Sequence, residues 1–224
     1  MDQRAANMRV RRDRIIASAE TLIMRESLSR FTMRDLAEEV GLSVKTLYNL
    51  CGDKEAIAAE VEDRAYASLE AELQSLPEHV DPVAQVLAIL AAGADKAIAR
   101  KGILHPLLRG EDPEMPIRKP RAFGLIQSGA VLAERALRLA VQKDLLMAEL
   151  DPHVVANQLS INWFGTAMLW ARNMLNDEAF RVRVRYSGLC NLLPYATAQY
   201  SAELRQEIIA LQTQLPPFET FTVC

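Results

Sequence analysis

The hydrophobic pattern of the chain predicts helices almost throughout. Apolar residues recur at intervals of three and four, and short breaks marked by proline or glycine separate the periodic stretches. Strand patterns are nearly absent. The longer predicted helices cover about residues 8–27, 53–75, 81–100, 121–143, 152–175 and 177–212, the last with a kink at Pro194. Residues 102–120 predict a short helix followed by a loop. With two short helices between residues 32 and 51, this gives an all-α fold of about nine helices.

Residues 32–55 predict two short helices joined by a tight turn, with a third helix starting immediately afterwards. Thr32 and Asp35 have the spacing of a capping box. Gly41 suits the left-handed residue that ends a helix, and Ser43 is placed to cap the next helix. This is the arrangement of a helix-turn-helix, whose second helix lies in the DNA major groove.

The second of these helices has an apolar face and a polar face. At about 100° per residue, Leu47, Leu50 and Cys51 form one stripe that we expect to be buried. The other side carries side chains that can donate hydrogen bonds to phosphate oxygens or base edges, namely Lys45, Thr46, Tyr48 and Asn49.

Lys54 is unusual because it opens the third helix, where the helix dipole disfavours a cation. A helix N-terminus with an added positive charge is a ready phosphate site, which is the functional interpretation. The alternative is a solvated surface lysine.

The run from Thr32 to Glu55, with Thr46-Leu47-Tyr48 and then Gly52-Asp53-Lys54-Glu55, resembles the DNA-binding domain of TetR-family transcriptional regulators. The resemblance covers roughly residues 10–60. It implies a helical homodimer with three N-terminal helices for DNA and a larger, divergent C-terminal domain for ligand and dimerisation. We therefore expect a DNA-binding domain at 1–54 and a ligand-binding and dimerisation domain at 55–224. The expected DNA-binding residues are Thr32, Arg34, Ser43, Val44, Lys45, Thr46, Tyr48, Asn49 and Lys54.

The sequence departs from the family pattern at two places. Cys51 stands where an aromatic residue usually follows the tyrosine motif, which leaves a smaller side chain in the core of the small domain. Ser29-Arg30-Phe31 replaces the usual glycine-aromatic step before the capping threonine. Both departures concern packing rather than the face expected to meet DNA.

Composition is that of a globular protein, with 224 residues, half of them hydrophobic and a quarter charged. The net charge of −3 excludes a polycation that coats nucleic acid. Residues 1–54 nevertheless hold ten Lys or Arg against eight Asp or Glu. Arginines at 4, 9, 11, 12 and 14 are expected in an arm before the first amphipathic helix, either as a solvated tail or as contacts to phosphate or the minor groove.

The expected location is the cytoplasm. No apolar stretch reaches the roughly 20 residues that span a bilayer, and the basic N-terminus lacks an apolar signal segment. Cys51, Cys190 and Cys224 are too widely spaced to indicate a disulfide framework or a metal site. We favour incidental thiols over oxidant sensors at these positions.

Catalytic motifs are missing from the sequence, so we predict that the protein is not an enzyme and needs no metal or cofactor. His79, His105 and His153 stand far apart, without a carboxylate or cysteine at ligand spacing. No glycine-rich phosphate loop and no Gly-x-Ser-x-Gly motif is present.

The apolar helices between residues 83 and 175 are candidates for a ligand pocket, since pockets combine apolar walls with a few polar groups. The helix at about 152–175 is apolar around most of its circumference, so a partner subunit is expected to cover one side. The same positions also suit ordinary core packing. The candidate lining residues are Leu104, His105, Leu108, Phe123, Gln127, Asn162, Trp163 and Met168.

The predicted function is that of a transcriptional repressor that binds a near-palindromic operator as a homodimer. The last two long helices are expected to form the dimer interface. A small hydrophobic effector is expected to release the protein from the operator. One alternative is an enzyme or carrier that contains an incidental helix-turn-helix-like corner. Another is a DNA-binding dimer that has no effector. Sequence-selective, salt-dependent DNA binding is expected of the repressor and of the effector-free dimer, and it is not expected of the enzyme or carrier.

Overall fold

The computed structural model describes residues 3–27, 30–79, 81–109 and 119–215. Within these ranges the chain has no strand, and an isolated antiparallel bridge joins Leu146 and Ala196. The all-α prediction is confirmed, with ten α-helices in place of about nine. They are α1 (Gln3–Glu26), α2 (Met33–Val40), α3 (Val44–Cys51), α4 (Lys54–Gln74), α5 (Pro82–Ala99), α6 (Lys101–Arg109), α7 (Lys119–Gln142), α8 (Pro152–Ala171), α9 (Asp177–Leu192) and α10 (Ala198–Gln212).

The helix predicted over 177–212 with a kink at Pro194 is instead two helices, α9 and α10, with a 3₁₀ turn, Leu193–Tyr195, between them. Pro194 removes a backbone donor and its ring blocks a continuing α-helix. Ala196 is extended, with φ −69° and ψ 135°. The Tyr195 carbonyl then accepts a hydrogen bond of 2.7 Å from the Met147 amide, a contact that the local pattern does not encode.

The chain divides into two compact units that are not continuous in sequence. The first, which we call the N-terminal unit, contains α1 to α3, α4 as far as Leu69, and α6. The second, the C-terminal unit, contains the rest of α4, nearly all of α5 and α7, and α8 to α10. Helix α4 contributes to both units. The functional division expected at residues 54 and 55 stays a prediction.

The core of the N-terminal unit joins the helix-turn-helix to α1, α4 and α6. The apolar stripe of α1 is buried, with Ile16 fully inaccessible, and Phe31 and Leu47 are equally buried. Ile103 of α6 lies in the same cluster. Each such side chain contributes roughly 1.5–3 kcal/mol when fully buried. Residues 101–109 therefore help to stabilise the helix-turn-helix, although they lie far from it in sequence.

Gly102 lies at a close approach between α6 and α1. A Cβ atom at this position would lie 2.9 Å from both the Cα atom and the carbonyl oxygen of Met24. These are backbone atoms, so they cannot move aside as a flexible side chain can. The packing of α6 on the end of α1 requires glycine here.

Aromatic side chains hold the C-terminal unit together. Trp170 stacks on Phe180 with ring centroids 4.9 Å apart, and Trp163 meets the same ring edge-on at 5.8 Å. The Trp163 indole donates a hydrogen bond of 3.1 Å to the Leu90 carbonyl. Gly93 leaves room for that indole, since a Cβ atom there would lie 3.3 Å from its Nε1 atom. These contacts join α5, α8 and α9.

Helix α5 is long and apolar enough to cross a membrane by length and composition, with a mean hydropathy of 1.4 over 18 residues. Half of it is buried within the protein. Its buried positions include Val83, Val86, Leu90 and Ala94, which repeat at the spacing of one helix face. This is the pattern of a core helix.

Candidate DNA-binding site

The predicted caps of α2 and α3 are confirmed. Thr32 Oγ1 accepts a hydrogen bond of 3.2 Å from the Asp35 amide at the start of α2. Gly41 ends α2 in the left-handed conformation with φ 66°. Ser43 Oγ then accepts a hydrogen bond of 3.2 Å from the Thr46 amide at the start of α3. Local side-chain chemistry thus fixes both ends of the turn.

The two faces of α3 are as predicted at most positions. Leu47 and Cys51 are buried, whereas Lys45 and Asn49 are exposed and Tyr48 is 51% exposed. The exposed side chains combine a cation, an amide and a phenol, which can contact phosphates and base edges. The outer face of α3 therefore has the chemistry of a recognition surface.

Other α3 positions are less clear-cut. Leu50, expected to be buried, is only partly buried. Val44 and Thr46 are half-buried, and Thr46 Oγ1 lies 2.8 Å from Ser43 Oγ. Ser43 itself is exposed at the N-terminus of α3. The Ser43 hydroxyl already accepts the capping hydrogen bond from the Thr46 amide, so a contact with DNA would use the same hydroxyl group.

The start of α4 is capped by Asp53, whose Oδ1 atom accepts a hydrogen bond of 2.8 Å from the Ala56 amide. Gly52 precedes it with φ 85°, a left-handed value that favours glycine. Lys54, the first residue of α4, is half-buried. The cation therefore lies at the positive end of a helix, where a phosphate would be stabilised.

Thr32 and Arg34 are exposed at the start of α2. Arg34 Nε lies 3.4 Å from Glu38 Oε1, and both side chains are mostly accessible to solvent, at 83% and 71%. Exposed ion pairs of this kind contribute about 0–1 kcal/mol. Arg34 can therefore exchange Glu38 for a phosphate at little cost.

The N-terminal arginines differ from the expectation, because they belong to α1 rather than to an arm before it. Arg9, Arg11 and Arg14 are exposed on this helix, whereas the side chain of Arg4 is outside the described part. Arg12 is bound to Glu60 of α4 at 2.6 Å. The helix therefore begins before its buried apolar stripe, which starts at Ile15.

Cys51 packs inside the helix-turn-helix, where the family usually has an aromatic residue. Burial raises the pKa of the Cys51 thiol, with Arg12 lowering it and Glu60 raising it to smaller extents. A protonated, inaccessible thiol is a poor nucleophile. Cys190 is exposed, and Cys224 lies outside the described residues.

The candidate ligand residues are divided between the two units. Leu104, His105 and Leu108 lie on α6 in the N-terminal unit, with Leu104 buried. The side chains of Phe123 and Gln127 lie outside the described residues. Asn162, Trp163 and Met168 are half-buried on α8, where the Trp163 indole donates to the Leu90 carbonyl. The role of the whole set in ligand binding stays a prediction.

Titratable side chains of α7 and α8 form a cluster in the C-terminal unit. His153 Nδ1 lies 3.0 Å from Glu134 Oε2, and Arg138 binds the other carboxylate oxygen. Hydrogen bonds with His153 and Arg138 lower the pKa of the Glu134 carboxyl. Among the residues that the structure describes, no three His, Cys, Asp or Glu side chains gather in a way that could hold a metal ion.

Comparison with known proteins identifies the family of the helix-turn-helix segment. The family model for bacterial regulatory proteins of the tetR family matches residues 15–61, which contain α2, α3 and the start of α4. This DNA-binding domain belongs to the TetR family. The match covers the residues whose caps and faces are described above, and the TetR family generally comprises non-enzymatic DNA-binding regulators. A comparison with curated proteins found no match.

Solved structures of two TetR-family regulators and of one repressor share the fold over 84–93% of the chain. A TetR-family regulator from Marinobacter aquaeolei VT8 is 16% identical with a TM-score of 0.65, covering 92% of this chain and 98% of its own. One from Streptomyces coelicolor is 16% identical with a TM-score of 0.66, covering 93% and 90%. SmeT, the repressor of the Stenotrophomonas maltophilia multidrug efflux pump SmeDEF, is 17% identical with a TM-score of 0.61, covering 84% and 92%.

Proposed function

We propose that the protein is a transcriptional repressor that binds a near-palindromic DNA operator as a homodimer and leaves it when a small, largely hydrophobic effector binds. Such a protein acts in the cytoplasm. The observation that carries the proposal is the exposed polar face of α3, which displays Lys45, Tyr48 and Asn49 between two capped turns. Two such helices about 34 Å apart would enter successive major grooves.

Homodimerisation is supported by exposed apolar side chains on one face of α8, a stripe that also includes the exposed Gln158. Val154 and Ile161 are 59% and 60% exposed, and Gly165 continues the same face one turn later. On α10, Ile209 is 63% exposed. Burying such side chains against a second copy would remove apolar surface from water, and Gly165 would allow the two backbones to come close.

Sedimentation or light scattering of purified protein tests the dimer. Ile161→Asp should give a monomer, because a carboxylate would have to be desolvated in the interface. Val131→Asp on α7 is the matched control, since Val131 is 64% exposed and lies outside the stripe. A dimer that persists in Ile161→Asp would overturn the proposed interface.

Effector release requires that the effector bind differently to the DNA-bound and free forms of the protein. Helix α4 is the proposed mechanical link. It begins at Lys54, beside the proposed phosphate contact, and ends at Gln74 within the C-terminal unit.

Selection of bound duplexes from a random pool, repeated with candidate effectors, tests the function directly. Asn49→Ala should change the selected sequence, whereas Lys54→Ala should weaken binding to all duplexes alike and reduce the slope of log affinity against log salt by about 1. Lys143→Ala removes the same charge from the C-terminal unit and should leave DNA binding unchanged. Selection of no consensus at low salt would refute the proposal in favour of a carrier or enzyme.

A further inference from the structure

A cavity in the C-terminal unit lies between the facing sides of α5 and α7, next to the segment that follows α4. Its volume is about 400 Å³, within the range of roughly 300–1,000 Å³ that is typical of small-molecule sites. None of the ligand candidates taken from the sequence lines it. All of its lining residues belong to one compact unit, so its shape does not depend on any other part of the chain.

The cavity has an apolar interior. One face of α7 contributes residues three and four positions apart, and α5 contributes one face in the same way. The lining hydrophobic side chains are Leu76, Pro82, Ile89, Leu132, Ala136 and Leu139. A ligand that fills this space must therefore present an aliphatic or aromatic body of moderate size.

Charged groups line the same cavity, and the cations outnumber the anion. Arg135 and Arg138 project from α7, against Glu78 from the segment after α4. Arg138 is engaged by Glu134, which does not line the cavity. Arg135 is bound to Glu78 at 3.3 Å, and these side chains are 81% and 83% exposed.

The Arg135–Glu78 pair is weak because both side chains are well solvated, and such pairs contribute about 0–1 kcal/mol. A ligand carboxylate could replace Glu78 and take both donors of the guanidinium in a fork. A ligand ammonium would instead have to displace Arg135 while Arg138 remained close by. The lining therefore favours an anionic head group over a cationic one.

We propose that this cavity between α5 and α7 is the effector site and that it takes an amphipathic monocarboxylate, with Arg135 holding the carboxylate and the apolar walls holding the body. The proposal rests on the proposed function and names the chemical class of the effector. Glu78 competes with the ligand carboxylate for Arg135. Removing the charge of Arg135 should therefore weaken ligand binding, whereas removing the charge of Glu78 should strengthen it.

Calorimetric titration of the full chain with decanoate, in the absence of DNA, tests the site. We expect saturable binding of decanoate and binding of decylammonium that is at least tenfold weaker. Arg135→Gln should weaken decanoate binding by roughly two- to fivefold, because an ion pair with an exposed guanidinium is lost. Glu78→Gln should strengthen it by roughly two- to fivefold, since the competing carboxylate is removed.

Two further variants control for the fold and for net charge. Leu139→Asp places a charge on the apolar wall at a residue that is 41% exposed, so it should abolish decanoate binding while circular dichroism stays unchanged. Arg172→Gln makes the same charge change as Arg135→Gln at an exposed residue outside the cavity, and it should bind decanoate like the unsubstituted protein. Equal binding of decanoate and decylammonium, or no effect of Arg135→Gln, would overturn the proposal.

The link to regulation is tested with the operator obtained by duplex selection. Decanoate should release the unsubstituted protein from that duplex and release less of Arg135→Gln at the same concentration. Decanoate binding without any release would overturn the assignment as the effector site. Sequence-selective DNA binding is measured without decanoate. If no sequence-selective binding is found, the repressor proposal is refuted. If only decanoate binding is absent, the cavity proposal alone is refuted.

Discussion

Replacement of Gly102 by alanine should destabilise the N-terminal unit. The added methyl group would lie 2.9 Å from the Cα atom and the carbonyl oxygen of Met24, and 3.0 Å from the carbonyl oxygen of Ile23. All three are backbone atoms of the last turns of α1, so relief requires a shift of α6 or of α1. Overpacking of this kind costs about 1–3 kcal/mol.

A smaller effect of opposite sign accompanies the clash. Alanine is favoured over glycine inside a helix by about 0.5–1 kcal/mol. The net expectation for Gly102→Ala is therefore a loss of about 1–2 kcal/mol. Gly129→Ala on α7 isolates the propensity term, because a Cβ atom there would meet no atom within 4 Å. That control should gain up to about 1 kcal/mol.

Urea unfolding followed by two probes is the suitable assay. Both tryptophans, Trp163 and Trp170, lie in the C-terminal unit, whereas circular dichroism follows helices of both units. The circular dichroism midpoint of Gly102→Ala should fall by about 0.3–2 M, given typical urea slopes of about 1–3 kcal/mol per M. If Gly102→Ala were as stable as Gly129→Ala by both probes, the reasoning from the close approach would be refuted.

Three further predictions concern caps, a helix tether and acid stability. Ser43→Ala should lower the stability of the N-terminal unit by about 0.5–2 kcal/mol in the same urea assay, because the Thr46 amide loses its acceptor, whereas Ser43→Asp should restore most of the loss. Tyr200→Phe removes a hydroxyl that donates to Asp81, the residue whose Oδ1 atom also caps α5 through the Val83 amide, so the thermal midpoint should drop by an amount equivalent to about 1–3 kcal/mol; an unchanged midpoint would mean that the tether is unimportant. Because the pKa of Glu134 is lowered in the folded protein, its ion pairs stabilise the fold above the ordinary glutamate pKa of about 4.3, and that contribution disappears as the pH falls through the lowered value. In His153→Ala the pKa of Glu134 should rise, which a carboxyl-resolved NMR titration would detect; the same pKa in both proteins would contradict the assigned cause.

The helix-turn-helix was predictable because its signals are local. Thr32, Gly41 and Ser43 act on backbone groups within a few positions, so their roles follow from spacing alone. The break between α9 and α10 was missed because Tyr195 is held by Met147, nearly fifty positions earlier. A proline predicts a kink or a stop equally well, and only the distant partner selects the stop.

The wider site could be predicted only in part. Helical periodicity made Trp163 a candidate ligand contact. It does not predict that the Trp163 indole donates a hydrogen bond to the Leu90 carbonyl on another helix. Nor could it tell that Ile103 packs in the core around Leu47. The cavity between α5 and α7 depends on which faces meet, and those faces come from segments some fifty residues apart. Such pairings are fixed by tertiary packing rather than by propensity.

The participation of α6 in the core around the helix-turn-helix has a consequence for synthesis on the ribosome. Ile103 and Gly102 are translated long after α3 is complete, so the hydrophobic cluster that supports the recognition helix is unfinished until Lys101–Arg109 leaves the exit tunnel. Closing so long a stretch of chain carries an entropic cost and delays folding. The nascent chain therefore carries a complete α3 before it can complete the hydrophobic cluster around Leu47, which requires that α5 has also been made.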